Sequence, residues 1–224
     1  MRFLSADQIS SIEDRHTPHT VTESTTAWSG RIVDMVEDHV VVVEGEEPVV
    51  RQYTRHPGAV AVVVMRGEEG AEEILLLRQY RHPVNASLWE IPAGLRDVPG
   101  EAPAVAAARE LAEETDYVAA TWNTLAEFYA SPGFTTEGAR IFLAQDLSLL
   151  PEDQRTARED EEAEFVPTWF RLDDVLDAVM AGRLHNPSTV VGVLAAARAR
   201  SSGWAGLRPT DAGWLRSPRS LRAG

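Results

Sequence analysis

A chain of 224 residues, 44% of them hydrophobic, fits one large domain or a domain with a smaller appendage, and it can bury a real core. It holds no cysteine, which excludes disulfides, thiolate zinc sites and cysteine nucleophiles and fits a reducing compartment. Its formal charge of −14 argues against a nucleic-acid partner, because phosphate-backbone binding needs clustered Lys and Arg, and any phosphate site must carry its own positive charge from bound metal or locally placed arginines.

The opening stretch MRFLSADQISSIEDRHTPHT has neither an apolar signal core nor a small-residue cleavage site, and no later apolar run approaches a membrane-spanning length. The expectation is a soluble, cytoplasmic protein with no membrane partner. Residues 1 to about 27 are polar without periodicity and read as a loose lead-in. From 31 to 54, β-branched residues alternate and cluster about a turn at Gly45-Glu46-Glu47, which predicts a hairpin. After Pro57-Gly58, AVAVVVM is a continuous apolar run suited to a strand buried on both faces. EEILLLRQY, LWEIP, WNTLAEFYA and ARIFLAQD read as further strands. A helix is predicted from about Pro103 to Thr115, and two more in LDDVLDAVMAGRL and STVVGVLAAARARS. PEDQRTAREDEEAEF reads as a charged loop, and in the tail Trp204 and Trp214 are candidates to pin the chain to the body. Strands first, one embedded helix and late helices predict an α+β sandwich, divided into a lead-in and hairpin region (1–56), a main domain (57–200) and a C-terminal tail (201–224).

The first of these helices carries the chemistry. Glu110, Glu113 and Glu114 stand at i, i+3 and i+4, so one turn presents three carboxylates on one face. Like charges at this spacing repel, and the negative end of the helix macrodipole adds to the repulsion. A bound divalent cation reverses the sign. Hard oxygen donors without Cys or His nearby favour Mg²⁺ or Mn²⁺ over zinc. A solvated acidic face is the bland alternative for such a cluster.

The spacing of Gly94, Glu101, Arg109, Glu110, Glu113 and Glu114 resembles the Nudix box, a glycine and a glutamate followed by R-E-hydrophobic-x-E-E and closing on a glycine and a hydrophobic residue. Two departures stand out. The gap from Gly94 to Glu101 is one residue longer than the usual box, and Asp116 occupies the closing glycine position, ahead of Tyr117 in the hydrophobic one. Asp tolerates a left-handed helix end better than most residues, though less well than Gly. The resemblance implies a Nudix-type α/β/α sandwich with a mixed sheet, preceded by a small N-terminal antiparallel sheet. It implies Glu110 and Glu114 as principal metal ligands with the Ala93 carbonyl, and Glu113 supporting a further metal or its water. Arg109 is then the residue that orients the glutamates. Glu101 either caps the helix or joins the metal network.

The flanks RQYRHPVNASLWEIPAG and SPGFTTE look like the ADP-ribose pyrophosphatase branch, in which a proline follows sixteen residues beyond the box glycine position, as Pro132 follows Asp116 here. That branch implies Mg²⁺-dependent cleavage of ADP-ribose to AMP and ribose 5-phosphate by a homodimer built through its N-terminal strands. Arg81 suits a diphosphate as a planar bidentate donor, or makes a surface ion pair. Glu90 either accepts from ribose or base, or is only a polar residue between Trp89 and Ile91. Leu95, Gly133 and Glu137 are the remaining substrate-side candidates in the main domain, with Trp28 and Arg51 offered to the adenine from the N-terminal strands. The general base is expected in the acidic stretch before AEF, with Glu162 the choice by position. The rivals are the same chemistry on another nucleoside-diphosphate sugar and a non-catalytic nucleotide-sensing module.

Overall fold

The computed structural model describes residues 12–155, 166–215 and 220. Its first element, β1 (Thr20–Ser29), lies inside the stretch that sequence patterning assigned to a loose lead-in. β1 pairs antiparallel with β2 (Asp34–Val41) as the edge of a three-stranded sheet, and nearly every β1 side chain is exposed, so burial imposes no alternation on it. β2 and β3 (Val49–Arg55) form the expected hairpin, with Val40 level with Val49 and Gly45 at a positive φ in the turn. β2 alone alternates clearly, burying Val36, Asp38 and Val40.

The main sheet is mixed. Its centre is the apolar run AVAVVVM, as β4 (Ala59–Arg66), with Val60, Val62, Val63 and Val64 fully buried. At about 1.5–3 kcal/mol for each large aliphatic side chain removed from water, this strand is a principal source of core stability. It pairs antiparallel with β5 (Glu73–Arg81) and with the three-residue β7 (Ala93–Leu95), and parallel with β9 (Gly138–Leu149). β8 (Tyr117–Tyr129) runs antiparallel to β9, while β6 (Ala86–Glu90) and β10 (Thr168–Arg171) pair with β5. The short β7 and β10 carry too few residues to show a period and have no counterpart among the predicted strands.

Helix α1 (Pro103–Thr115) covers one face through Ala106, Ala107 and Leu111, against Val60, Val62, Val64 and Phe142. Helices α2 (Leu172–Met180) and α3 (Pro187–Ser201) cover the other through Leu172, Val175, Val193 and Ala196. The result is the expected α/β/α sandwich of the α+β class, with the small antiparallel sheet before it. No helix among the described residues is long and apolar enough to cross a membrane.

Candidate active site

α1 begins at Pro103, where the fixed proline φ suits a first helical turn and no N–H is lost from the ladder. Ala102 is its N-cap and makes no side-chain capping bond, while Glu101 just before it accepts from Arg109 with both carboxylate oxygens. The helix ends at Asp116, which adopts the left-handed conformation (φ 62°, ψ 13°) and donates its N–H to the Ala112 carbonyl at 3.0 Å. The departure from glycine therefore leaves the helix end in place.

The chain of the box turns back on itself so that β7 lies against the last two turns of α1. A Cβ on Gly94 would collide with the carboxylate carbon and both oxygens of Glu110, so glycine alone lets that carboxylate sit flush on the strand. One residue earlier, the Ala93 N–H donates to Glu114 Oε2 at 3.0 Å, and Glu114 is only 5% exposed.

Arg109 ties the remaining acids together. Its Nε and Nη2 donate to the two oxygens of Glu101, each at 3.1 Å, and its Nη1 donates to Glu110 Oε1 at 2.8 Å and Glu113 Oε2 at 3.1 Å. The hydrogen bonds to Glu101 first, and then the Glu110 charge, hold this guanidinium above its ordinary value, against the effect of partial burial. Among the described residues no three His, Asp or Glu side chains close on a single cation-sized point; the carboxylates converge on Arg109 instead. The donor set is nonetheless all hard oxygen, held on a rigid helix and opened by a glycine cradle, which fits a divalent cation of the Mg²⁺ kind.

Arg81 and Glu90 form a bidentate pair across β5 and β6, with Nε to Oε1 at 2.9 Å and Nη2 to Oε2 at 2.7 Å. Glu90 is 4% exposed while the Arg81 side chain reaches solvent, so the buried acid aims a surface guanidinium. Glu90 ends β6 three residues ahead of Ala93 in the chain. Leu95 is half-buried on β7, level with Ala59.

The SPGFTTE segment joins the two sheets. Thr54 of β3 donates its N–H to the Phe134 carbonyl at 2.8 Å and accepts from the Thr136 N–H at 2.9 Å. Gly133 is exposed at the tip and Glu137 stands at the base, next to β9. Sequence reasoning missed His56 at this junction. It is buried, its N–H donates to Thr136 Oγ1 at 2.9 Å, and its Nδ1 accepts from the Gly58 N–H at 3.0 Å. Burial holds the imidazole below the usual histidine value, with the nearby Glu137 charge opposing. The lone histidine before Pro57-Gly58 was the available signal.

Trp28 and Arg51 lie on the N-terminal sheet and are not in contact with the box. Trp28 is 57% exposed with its ring folded over Gly30, and Arg51 is exposed, donating to the Val50 carbonyl. Glu162 lies outside the described residues.

The family model described as NUDIX domain matches residues 55–188. The chain is 37% identical over 200 residues to the ADP-ribose pyrophosphatase of Mycobacterium tuberculosis, covering 89% of this chain and 93% of that one. It is 36% identical over 166 residues to the ADP-ribose pyrophosphatase of Bacillus subtilis, covering 74% and 85%. Among solved structures, that of an ADP compounds hydrolase superimposes with a TM-score of 0.66 at 21% identity, covering 85% of this chain and 99% of that one.

Proposed function

The chain belongs to the Nudix hydrolase family, and from that premise we propose that it hydrolyses the pyrophosphate bond of ADP-ribose to AMP and ribose 5-phosphate, with Mg²⁺ as cofactor and Mn²⁺ as a substitute. The observation that carries this reading is the convergence of Gly94, Glu110 and Glu114 at β7, with Arg109 neutralising their neighbours. Glu110, Glu114 and the Ala93 carbonyl are the groups that would hold the cation, with Glu113 supporting a further ion or its water. A divalent cation held there supplies charge screening for a diphosphate and acidifies bound water.

The rest is the work of the chain. Arg109 keeps Glu101, Glu110 and Glu113 in register by sharing its donors among them. Arg81, oriented by Glu90, offers its exposed edge to the diphosphate. Leu95 lines the strand side, and Gly133 and Glu137 border the terminal ribose. Glu162 takes the proton from the attacking water. Trp28 and Arg51 meet the adenine across a homodimer formed through the N-terminal strands, which accounts for an exposed indole on a sheet remote from the box. ADP-ribose as substrate is supported by the flanking QYR and SPGF segments and by the names of the two relatives.

Turnover of ADP-ribose, GDP-mannose, UDP-glucose and NADH with Mg²⁺, followed by phosphate release after phosphatase treatment, tests the substrate. Higher kcat/KM on any of the last three overturns the ADP-ribose assignment. Glu114→Gln removes one charge from a buried ligand and is expected to lower kcat by a factor on the order of 10² or more; unchanged turnover overturns the metal assignment and favours a different site.

A further inference from the structure

The segment after α3 crosses the edge of the main sheet and fastens to it. Thr124 of β8 donates its N–H to the Arg208 carbonyl at 2.9 Å and its hydroxyl to the Pro209 carbonyl at 2.9 Å. Arg208 pairs with Glu127 of β8. Arg140 of β9 is 2% exposed, pairs with Glu127 at 2.8 Å, and donates to the carbonyls of Thr210 and Ala212. Its guanidinium lies 5.3 Å from the Trp214 ring centre. The Trp214 ring in turn lies within 3.3 Å of where a Gly138 Cβ would stand, with Tyr129 on a further side at 3.4 Å, and the Tyr129 hydroxyl donates to the Leu215 carbonyl at 2.7 Å.

These anchors bracket the loop 131–137. Tyr129 precedes it, and Gly138 and Arg140 follow it. Arg140 is level with Val60, and Val60 with Gly94, so the fastened tail stands in the same cross-strand row as the glycine under Glu110. A buried guanidinium that spends its donors on tail carbonyls is dear to desolvate without those partners, which ties the ordering of β9 at this end to the tail.

We propose that residues 208–215 act as a strap that positions the substrate loop 131–137, with Trp214 the positioning residue that sets its C-terminal hinge at Gly138. This rests on the reading above that Gly133 and Glu137 border the substrate. The strap sets substrate affinity and leaves the glutamate helix untouched.

The test is Trp214→Ala, with Trp214→Phe as the conservative rescue, in the full chain. KM and kcat for ADP-ribose are measured alongside hydrogen exchange of the loop and of α1. Trp214→Ala is expected to raise KM on the order of tenfold with kcat within about twofold, to speed exchange at the Thr136 and Glu137 amides, and to leave α1 as protected as before. Trp214→Phe is expected to restore both. Unchanged loop exchange, unchanged KM, or loss of α1 protection in step with the loop each overturns the strap. A wild-type chain inactive on ADP-ribose defeats the substrate assignment by itself, and loop exchange then decides the strap alone.

Discussion

Gly94 leaves no room for a side chain because the Glu110 carboxylate already fills that space. Gly94→Ala must push either the strand or the acid aside, and if Glu110 holds the cation as proposed, a displacement of about 1 Å there is enough to lower kcat on the order of 10²-fold. Circular dichroism of the variant should stay that of the wild type, since β7 contributes only three residues to the sheet. His56 sets a second expectation. Its imidazole is held below its ordinary value by burial, so the unfolded chain binds a proton more readily than the native one. The stability due to the neutral ring is therefore complete above the unfolded value near 6.5 and is lost as the pH falls from there through the lowered native value. His56→Asn, whose side-chain oxygen can accept from Gly58 without titrating, should flatten that part of a urea-midpoint profile between about pH 7.5 and 5.

At the level of elements, α1 gathers negative charge at the end where its own dipole is negative, and Arg109 is the internal counterion. Arg109→Met should destabilise the chain by about 1–3 kcal/mol, since partly buried carboxylates lose a shared charge partner. Added Mg²⁺ should recover part of the thermal midpoint, and recovery equal to that given by the same ionic strength of NaCl would speak against a cation site. Elements buried on two faces or on one were legible in the chain, as AVAVVVM and α1 show, because burial writes a period into the residues. β1 was not, having solvent on most of its length, and β7 and β10 are shorter than any period they could display. The acidic cluster was legible from spacing within one helix. The Arg81–Glu90 pair and the grip of Arg140 on residues 210–214 were not, because those partners meet only through strand pairing or across some seventy residues of chain.

For the molecule as a whole, the three-stranded sheet projects its β1 edge and an exposed Trp28, while its hydrogen bonds to the body run through Thr54 and the SPGFTTE loop. A homodimer closing over this sheet should sediment at about twice the 24.6 kDa chain mass. Trp28→Ala should then raise KM, with kcat little changed, if the indole meets the adenine. A monomer with full activity would remove both expectations. The parallel pairing of β4 with β9 reaches further still. Ala59 meets Ala139, and every later pair keeps that spacing of 80 residues. On the ribosome, the most apolar strand of the protein is thus finished long before its neighbour exists, and for that interval its backbone and valines have only β5, β7 and α1 for cover. Nascent chains halted short of β9 should be the aggregation-prone species of this fold, and folding should be slow through the late closure of that long loop.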